Sequence, residues 1–469
     1  MPSRRVPSRR LAPLAGLLAA ALLVTGCTAG DDPEPAPSPS ESPTPSDTTT
    51  GEPEPVTLEL GVYGDASLRA AWEQIAEAYT AAYPHVTVEV TARRTPERAL
   101  ADRADEALTG DLPDVFLVPS EAAPALSEAD VVAPVDELLA ERGVVFGDTY
   151  VRLGLEAFSA EQRLQCMPVD VSPEVVLYRS DLLPLRRITE PDEEPVTAET
   201  GWTWEQFTQA ARLMAGPGVR GVHVEPRLAT LMALVRSDGA DLVDDPRDAT
   251  TLTFSEDGAR AALEEILDVL REPRLTPTPQ QLERSDALTR FAEGRLGMLF
   301  ATRAVVPELS EAGVEFDVLP LPRLGRARTA ADVTGLCLSA SGEQQEAAAD
   351  FLAWATAEEG AAILAETGAV VPAHVPTLNS PAFLQTGTSP ENAQVFVDAV
   401  ARAEVHPYVP GWPDVMEAVQ SELDELFYAP VIDLDTLLPR IDEQSQGILD
   451  PESLEDETSE GTEDGTDGE

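Results

Sequence analysis

Positive charge is scarce in this chain. Lys and Arg together number 32 against 84 Asp and Glu, for a formal net charge of −52 and an isoelectric point near 4.2. A field of that sign repels phosphate backbones and anionic headgroups, which argues against nucleic acid as a partner. Histidine is rarer still: His85, His223, His374 and His406 are scattered and show no metal-ligand spacing. Nucleophile elbows of the G-x-S-x-G kind, H-E-x-x-H and phosphate-binding loops are missing as well, so neither a cofactor nor a metal is expected. Carboxylates abound, but in so acidic a chain they single out no catalytic pair. Aromatic residues make up 5%. After the N-terminal segment no apolar run is long enough to span a bilayer.

What is present begins with an address. Arg4, Arg5, Arg9 and Arg10 precede the apolar run Leu11 to Val24, which ends in Val24-Thr25-Gly26-Cys27. Residues 1–26 read as an export signal. Small residues before a cysteine resemble the bacterial lipobox, which implies that Cys27 receives a lipid and becomes the mature N-terminus. Plain secretion with an incidental cysteine is the alternative, and Ser8-Arg9-Arg10 also suits twin-arginine export. Residues 27–55 are rich in Pro, Ser, Thr, Asp and Glu, a composition that buries too little surface to fold. At ~3.1 Å per residue such a tether reaches on the order of 80 Å. Residues 450–469 read as a solvated acidic tail.

Between these ends lies an ordinary globular composition, 43% hydrophobic, in a 469-residue chain with room for two or three cores. Val56 to Tyr63 alternates like a strand. Asp65 or Ser67 caps a helix with Leu68, Trp72, Ile75, Ala76 and Tyr79 on one face. His85 to Val90, a helix near Pro96 to Leu108 and the buried-type strand Asp114 to Val118 continue the alternation, which argues for an open α/β sheet. Ligands in such sheets sit beyond the carboxyl ends of the strands, where Tyr63, Asp65, Ser120 and Glu121 lie.

Leu164 to Leu183 then reads as a strand that stops at Met167-Pro168 and restarts at Glu174 to Tyr178. That is how a chain passes between two lobes. Past a polar insertion at Arg186 to Thr200, Trp202 to Glu205 opens a helix, and Ser255 caps another. Phe291 to Phe300 is a helix end turning into a buried strand. Phe316 to Pro322 and Val370 to Pro376 look like further crossings, with the strand Val333 to Ser339 and the helix Glu343 to Glu358 between them. A last helix uses Val415, Val419, Leu423 and Leu426.

In this order the elements resemble the bacterial extracellular solute-binding proteins of family 1, the sugar-type substrate-binding lipoproteins of ABC importers. The resemblance covers roughly Val56 to Leu449. It rests on A-Y-P-H-V-T-V-E-V from Ala82, L-P-D-V-F from Leu112, M-P-V-D and V-L-Y-R-S-D-L-L between Met167 and Leu183, T-W-E-Q-F from Thr203, F-A-E-G-R-L-G-M from Phe291, V-L-P-L-P from Val318 and G-A-V-V-P-A from Gly368. It implies an α/β, two-lobed periplasmic-binding-protein-like fold of type II, each lobe an open, mainly parallel sheet flanked by helices, joined by crossing strands. Residues 56–168 plus 320–372 would form lobe 1, and 169–319 plus 373–449 lobe 2. A small-molecule solute, most readily a sugar or oligosaccharide, is then held between the lobes by hinge closure. The chain is expected to be a monomer, lipid-anchored on the extracytoplasmic face of the cell membrane, with ABC permease subunits as partners. Two departures bear on the solute: Tyr178 is followed by Arg179 where the family usually has Asn, and Ala301-Thr302-Arg303 replaces an aromatic loop. With few rings to lie against sugar faces, the resemblance specifies the fold more closely than the sugar.

The candidate ligand residues are Tyr63, Asp65, Glu121, Asp170, Arg303 and Trp412. Each has a plainer reading: edge aromatic, helix cap, loop acid, hinge hydrogen bond, surface ion pair and lid contact. Trp202 and Trp204 read as packing. Cys166 and Cys337 are an even pair in an exported protein, which suggests a disulfide. The resemblance implies that their strands are neighbours in the first lobe, and two buried free thiols are the alternative. An orphan solute sensor of the same fold and a cell-surface glycoside hydrolase are the other functional readings, the hydrolase needing two carboxylates that nothing picks out.

Overall fold

The structure is a computed structural model that describes residues 54–188 and 194–452. The expected export signal, Cys27 with its tether, residues 189–193 of the polar insertion and the tail from residue 453 lie outside the described residues.

Alternation along β1 (Val56–Tyr63) puts Leu58, Leu60 and Val62 into the core. Helix α1 (Ala66–Ala82) follows, capped by Asp65, whose Oδ1 accepts from Ser67 N and Leu68 N at 2.9 Å each. Trp72, Ile75, Ala76 and Tyr79 line its buried face, as the 3.6-residue period predicts. Then come β2 (Val86–Arg93), α2 (Pro96–Thr109), β3 (Val115–Pro119) and the short β4 (Val132–Ala133). β5 (Cys166–Pro173) and β6 (Val175–Arg179) carry the chain from one sheet to the other. The second lobe adds α3 (Trp204–Met214), β7 (Arg220–His223), α4 (Leu228–Asp238), α5 (Asp257–Leu270), β8 (Leu296–Ala301) and β9 (Phe316–Leu319). The chain returns through β10 (Thr329–Ser339). It continues with α6 (Gln345–Ala355), α7 (Glu358–Glu366), α8 (Gln394–Val400), β11 (Ala403–Glu404), α9 (Trp412–Tyr428) and α10 (Leu434–Leu449).

The larger sheet has the order β11-β10-β3-β1-β2, with β4 and β5 also paired to β10. The smaller has the order β9-β6-β8-β7. Neither is mainly parallel, contrary to expectation. β10 runs antiparallel to β3, β4 and β5, and β6 runs antiparallel to both of its neighbours. The reason is topological: strands that enter a sheet from the other lobe arrive against the direction of those laid down locally. β6 shows how the smaller sheet is buried on both faces. Val175 and Leu177 join a core that fills the first lobe and continues beneath the smaller sheet, while Val176 and Tyr178 join a second core with Phe207, Leu263 and Trp412.

Two local expectations change, and a third feature, the disulfide, is as expected. The break in the first crossing falls at Glu174, not at Met167-Pro168. Pro168 stays in β5 because the β5–β10 register shifts between Thr334 and Gly335, where a residue without an N–H is tolerated. Ser255 does not cap α5, whose N-cap is Glu256; its hydroxyl and N–H both donate to Asp442 on α10. Cys166 and Cys337 face each other across β5 and β10 and are bonded, with Cα atoms 4.4 Å apart, the close spacing of a non-hydrogen-bonded antiparallel pair. Residues 370–376 run beside β5, where Val171 N donates to Val371 O and Ala373 N to Val169 O. Beyond them Asn392 donates twice to Asp317 on β9, which ties this stretch to the smaller sheet. Among the described residues no helix is long and apolar enough to cross a membrane.

Candidate functional site

The carboxyl ends of β1 and β3, the start of β10 and the short β11 form one wall of a cleft. One face of α4 along its length and the N-terminal end of α9 form the other. Ser120–Ala122, a single 3-10 turn after β3, presents Glu121. β10 contributes Asp332, and β11 contributes Glu404. From the opposite side come Arg227, the N-cap of α4, with Met232 and Arg236 on the same helix, and Trp412 and Met416 at the start of α9. Between the lobes these groups leave a small cavity of about 50 Å³. Arg227 also borders a second, more open cavity of about 620 Å³ in the smaller lobe, with Glu225, Phe300, Asp424 and Tyr428 on its walls.

Trp412 is buried, and its indole stacks on His406, with ring centroids 6.0 Å apart and 20° between the planes. His406 Nδ1–H donates to Pro407 O at 2.8 Å, which leaves Nε2 to accept from the Ser120 hydroxyl at 3.0 Å. Burial pushes the imidazole down to about 4, so it is neutral near pH 7 and keeps that tautomer. The acids move the other way. Burial raises Glu121 to about 6 and, at the crossing, Asp170 and Glu174 to about 7. Arg227 is held charged by Asp332, its ion-pair partner at 2.5 Å, and by the nearby Glu174. Two polar atoms in this region, Arg236 Nη2 and Glu174 Oε2, are buried with no hydrogen-bond partner among the described residues. Such groups are exceptions in folded proteins, and a donor of this kind on a cavity wall favours a polar guest.

Of the residues expected to meet a ligand, the structure brings Glu121 and Trp412 together in the interlobe cavity. Tyr63 is near them in the sheet, its hydroxyl 3.2 Å from Thr334 Oγ1. Asp65 serves α1 as its cap. Asp170 works inside the crossing, where its carboxylate accepts from Ser172 Oγ and from Val371 N at 2.8 Å each. Arg303 is corrected most. Its side chain is buried under Phe383 and Phe396, 4.2 and 5.2 Å from the ring centres, and donates to Gly368 O and Phe383 O. It is a joint between the segment after β8 and residues 368–396, and among the described residues it forms no ion pair with a carboxylate. Trp202 and Trp204 are core, as expected, and Trp202 Nε1 donates to Pro320 O at 2.8 Å.

The sequence reading passed over Arg227, Arg236, Asp332, Glu404 and His406. A signal existed for the first: Glu225-Pro226-Arg227 directly follows a short buried strand, so it lies at a strand's carboxyl end. Among the described residues no group of three or more His, Cys, Asp or Glu is placed to hold a metal ion.

Three comparisons bear on this architecture. A family model described as bacterial extracellular solute-binding protein matches residues 74–394. An ABC substrate-binding protein of Listeria monocytogenes, solved with cycloalternan, superposes with a TM-score of 0.73 at 18% identity, over 84% of this chain and 98% of that one. The sugar-binding protein MalE of Xanthomonas citri gives 0.73 at 16% identity, over 86% and 99%. The GacH receptor of Streptomyces glaucescens, solved unliganded and with acarbose, gives 0.70 at 16% identity, over 84% and 98%. At these identities the likeness is one of fold: two lobes around a cleft. No curated protein sequence matches the chain.

Proposed function

The chain belongs to the bacterial extracellular solute-binding proteins, a family of binding proteins and not of enzymes, and from that premise we propose that it captures a carbohydrate between its lobes and hands it to an ABC permease. The observation that carries the reading is the mixed lining of the interlobe cavity. Glu121, Asp332 and Glu404 accept from one lobe, Arg227 and Arg236 donate from the other, and Trp412 with His406 supplies a flat apolar wall. A sugar presents the matching surface, since each hydroxyl both gives and takes a hydrogen bond and each ring has an apolar face. The ligands of the structural relatives, cycloalternan and acarbose, point to the same class.

Support for capture by closure is that the two walls stand on different sheets joined by crossing strands. A solute that touches both walls favours the closed state by its contacts with the second one. Delivery requires the protein to stay near the membrane, and lipidation of Cys27 would hold it there. A thermal-shift screen of mono- and oligosaccharides tests the binding. At a concentration of 100 times Kd a true ligand adds about 2.7 kcal/mol of stability. A panel of neutral, acidic and amino sugars that produces no shift sinks the carbohydrate reading. Release of a Cys27→Ser variant into the medium, with the parent chain retained on membranes, tests the anchor.

A further inference from the structure

We infer that the ligand-free chain is held closed by ion pairs across its own cleft, formed by one helix of the smaller lobe with two strands of the larger. Arg227, at the N-cap of α4, reaches Asp332 on β10 with Nη2 2.5 Å from the carboxylate. Arg236, nine residues further along, reaches Glu404 on β11 at 3.2 Å, while its Nε is held by Asp241 at 2.9 Å. Arg328, in the second crossing, approaches the other oxygen of Glu404 at 2.8 Å. Nine residues of helix separate the two arginines by about 13 Å. Two anchors that far apart on one rigid rod resist both rotation and sliding of the lobes, where a single contact would act as a pivot.

The charge balance gives these pairs more than their usual weight. An isolated, partly exposed ion pair contributes little, and Arg227 and Asp332 keep 35% and 53% of their side-chain surface. Here, however, the chain is strongly acidic, and the cavity wall of the larger lobe carries three carboxylates. Arg227 and Arg236 are the two cations that line the cavity. Without them, the three carboxylates of the larger lobe would face a wall with no charge to balance them, and closure would desolvate acids left unpaired. Two such pairs, each worth a factor of a few, shift a hinge equilibrium by about tenfold.

The same residues line the cavity, so a solute seated there meets Arg227 and Asp332 directly and exchanges their mutual bond for bonds to itself. This last step rests on the solute-binding reading; the closure does not. Capture would then wait for spontaneous opening, and charge at positions 227 and 332 would set the rate of entry as well as the affinity.

The test needs no ligand. Val145 and Val431 are exposed, one on each lobe, and Cys166 and Cys337 are bonded to each other. A chain carrying Cys27→Ser, Val145→Cys and Val431→Cys therefore takes two dyes at defined places. It is stripped of solute by unfolding and refolding, checked by native mass spectrometry, and read by single-molecule energy transfer. In 50 mM NaCl the parent is expected to be mainly closed. Raising NaCl to 1 M, or introducing Asp332→Asn with Glu404→Gln, should lower the closed-to-open ratio by about tenfold, and Asp332→Glu should retain closure. Closure by apolar contacts alone would instead survive or strengthen in salt. A parent already open at 50 mM NaCl overturns the inference, as does a ratio that neither salt nor the double variant changes. If the double variant does not fold, the salt titration of the parent decides alone. A salt-sensitive closed state in a protein that binds no sugar would leave this inference standing and the carbohydrate reading refuted.

Discussion

Replacing Glu174 by Gln should make the protein more stable at neutral pH and leave it unchanged near pH 4.5. Glu174 sits where the first crossing breaks between β5 and β6, and only 4% of its surface is exposed. Its N–H donates to Ala330 O, its carbonyl accepts from Thr329 Oγ1, and Oε1 accepts from Thr230 Oγ1 on α4 at 3.2 Å. Oε2 has no partner among the described residues. Burial outweighs the nearby Arg227 charge and the Thr230 hydrogen bond, and lifts the carboxyl from 4.5 to about 7. In the unfolded chain it titrates near the ordinary value. The folded state therefore holds its proton across the interval from 4.5 to 7, and stability fully present below 4.5 is lost as pH rises to 7. At about 1.4 kcal/mol per pH unit, the interval corresponds to ~3 kcal/mol. For a cooperative unit of roughly 400 residues, that is a difference in Tm of about 3–4 °C. Glutamine keeps the acceptor toward Thr230 and cannot ionise. Scanning calorimetry of both proteins from pH 4 to 8 should give curves that meet at the acid end, separate progressively between pH 4.5 and 7 with the variant higher, and keep a constant gap above that. Asp170 and Glu121 titrate in the same window with the same sign, but equally in both proteins, so they cancel in the difference. Parallel curves across the whole range would refute the argument.

Trp412→Ala removes the ring against which His406 stacks; calorimetric titration with any sugar found in the screen should show affinity lower by about 1–3 kcal/mol, and unchanged affinity would take Trp412 out of the site. Cys166→Ser with Cys337→Ser opens a link between residues 171 positions apart. In the chain-entropy limit that costs roughly 5 kcal/mol, read as a shifted guanidinium midpoint, and a midpoint that does not move means that the reduced unfolded chain is no freer than the linked one. Arg303→Ala deletes two buried hydrogen bonds and the contacts with Phe383 and Phe396. Denaturant melts should show a loss of about 3 kcal/mol, while a loss below ~0.5 kcal/mol would mean that neutral packing serves the joint equally well.

What could be read from the sequence was what local chemistry decides. The face of α1 follows from the spacing of Trp72, Ile75, Ala76 and Tyr79, and the cap from Asp65 just ahead of it. The disulfide followed from two cysteines and a family topology that makes their strands neighbours, and the structure bears it out. The cleft was only half legible, and for a different reason. Asp332 looks like any polar residue on an alternating strand, and Arg227 like any arginine after a proline. Nothing within ten residues of either indicates that they meet, because the partners are 105 positions apart and the contact exists only when two sheets face each other. Arg303 shows the opposite error. In a chain with 84 carboxylates, a loop arginine invites an acid partner, yet the fold gives it two carbonyls and two phenyl rings. Net charge described the surface and misled at the joint, where the number of acids in the chain matters less than which of them can come near. The crossing stretch is where both lessons meet. Pro168 looked like the break because proline usually ends a strand, whereas the chain breaks at Glu174, a buried acid that joins α4 of one lobe to β10 of the other. A hinge built around an ionisable side chain instead of a proline is one whose stability pH can reach.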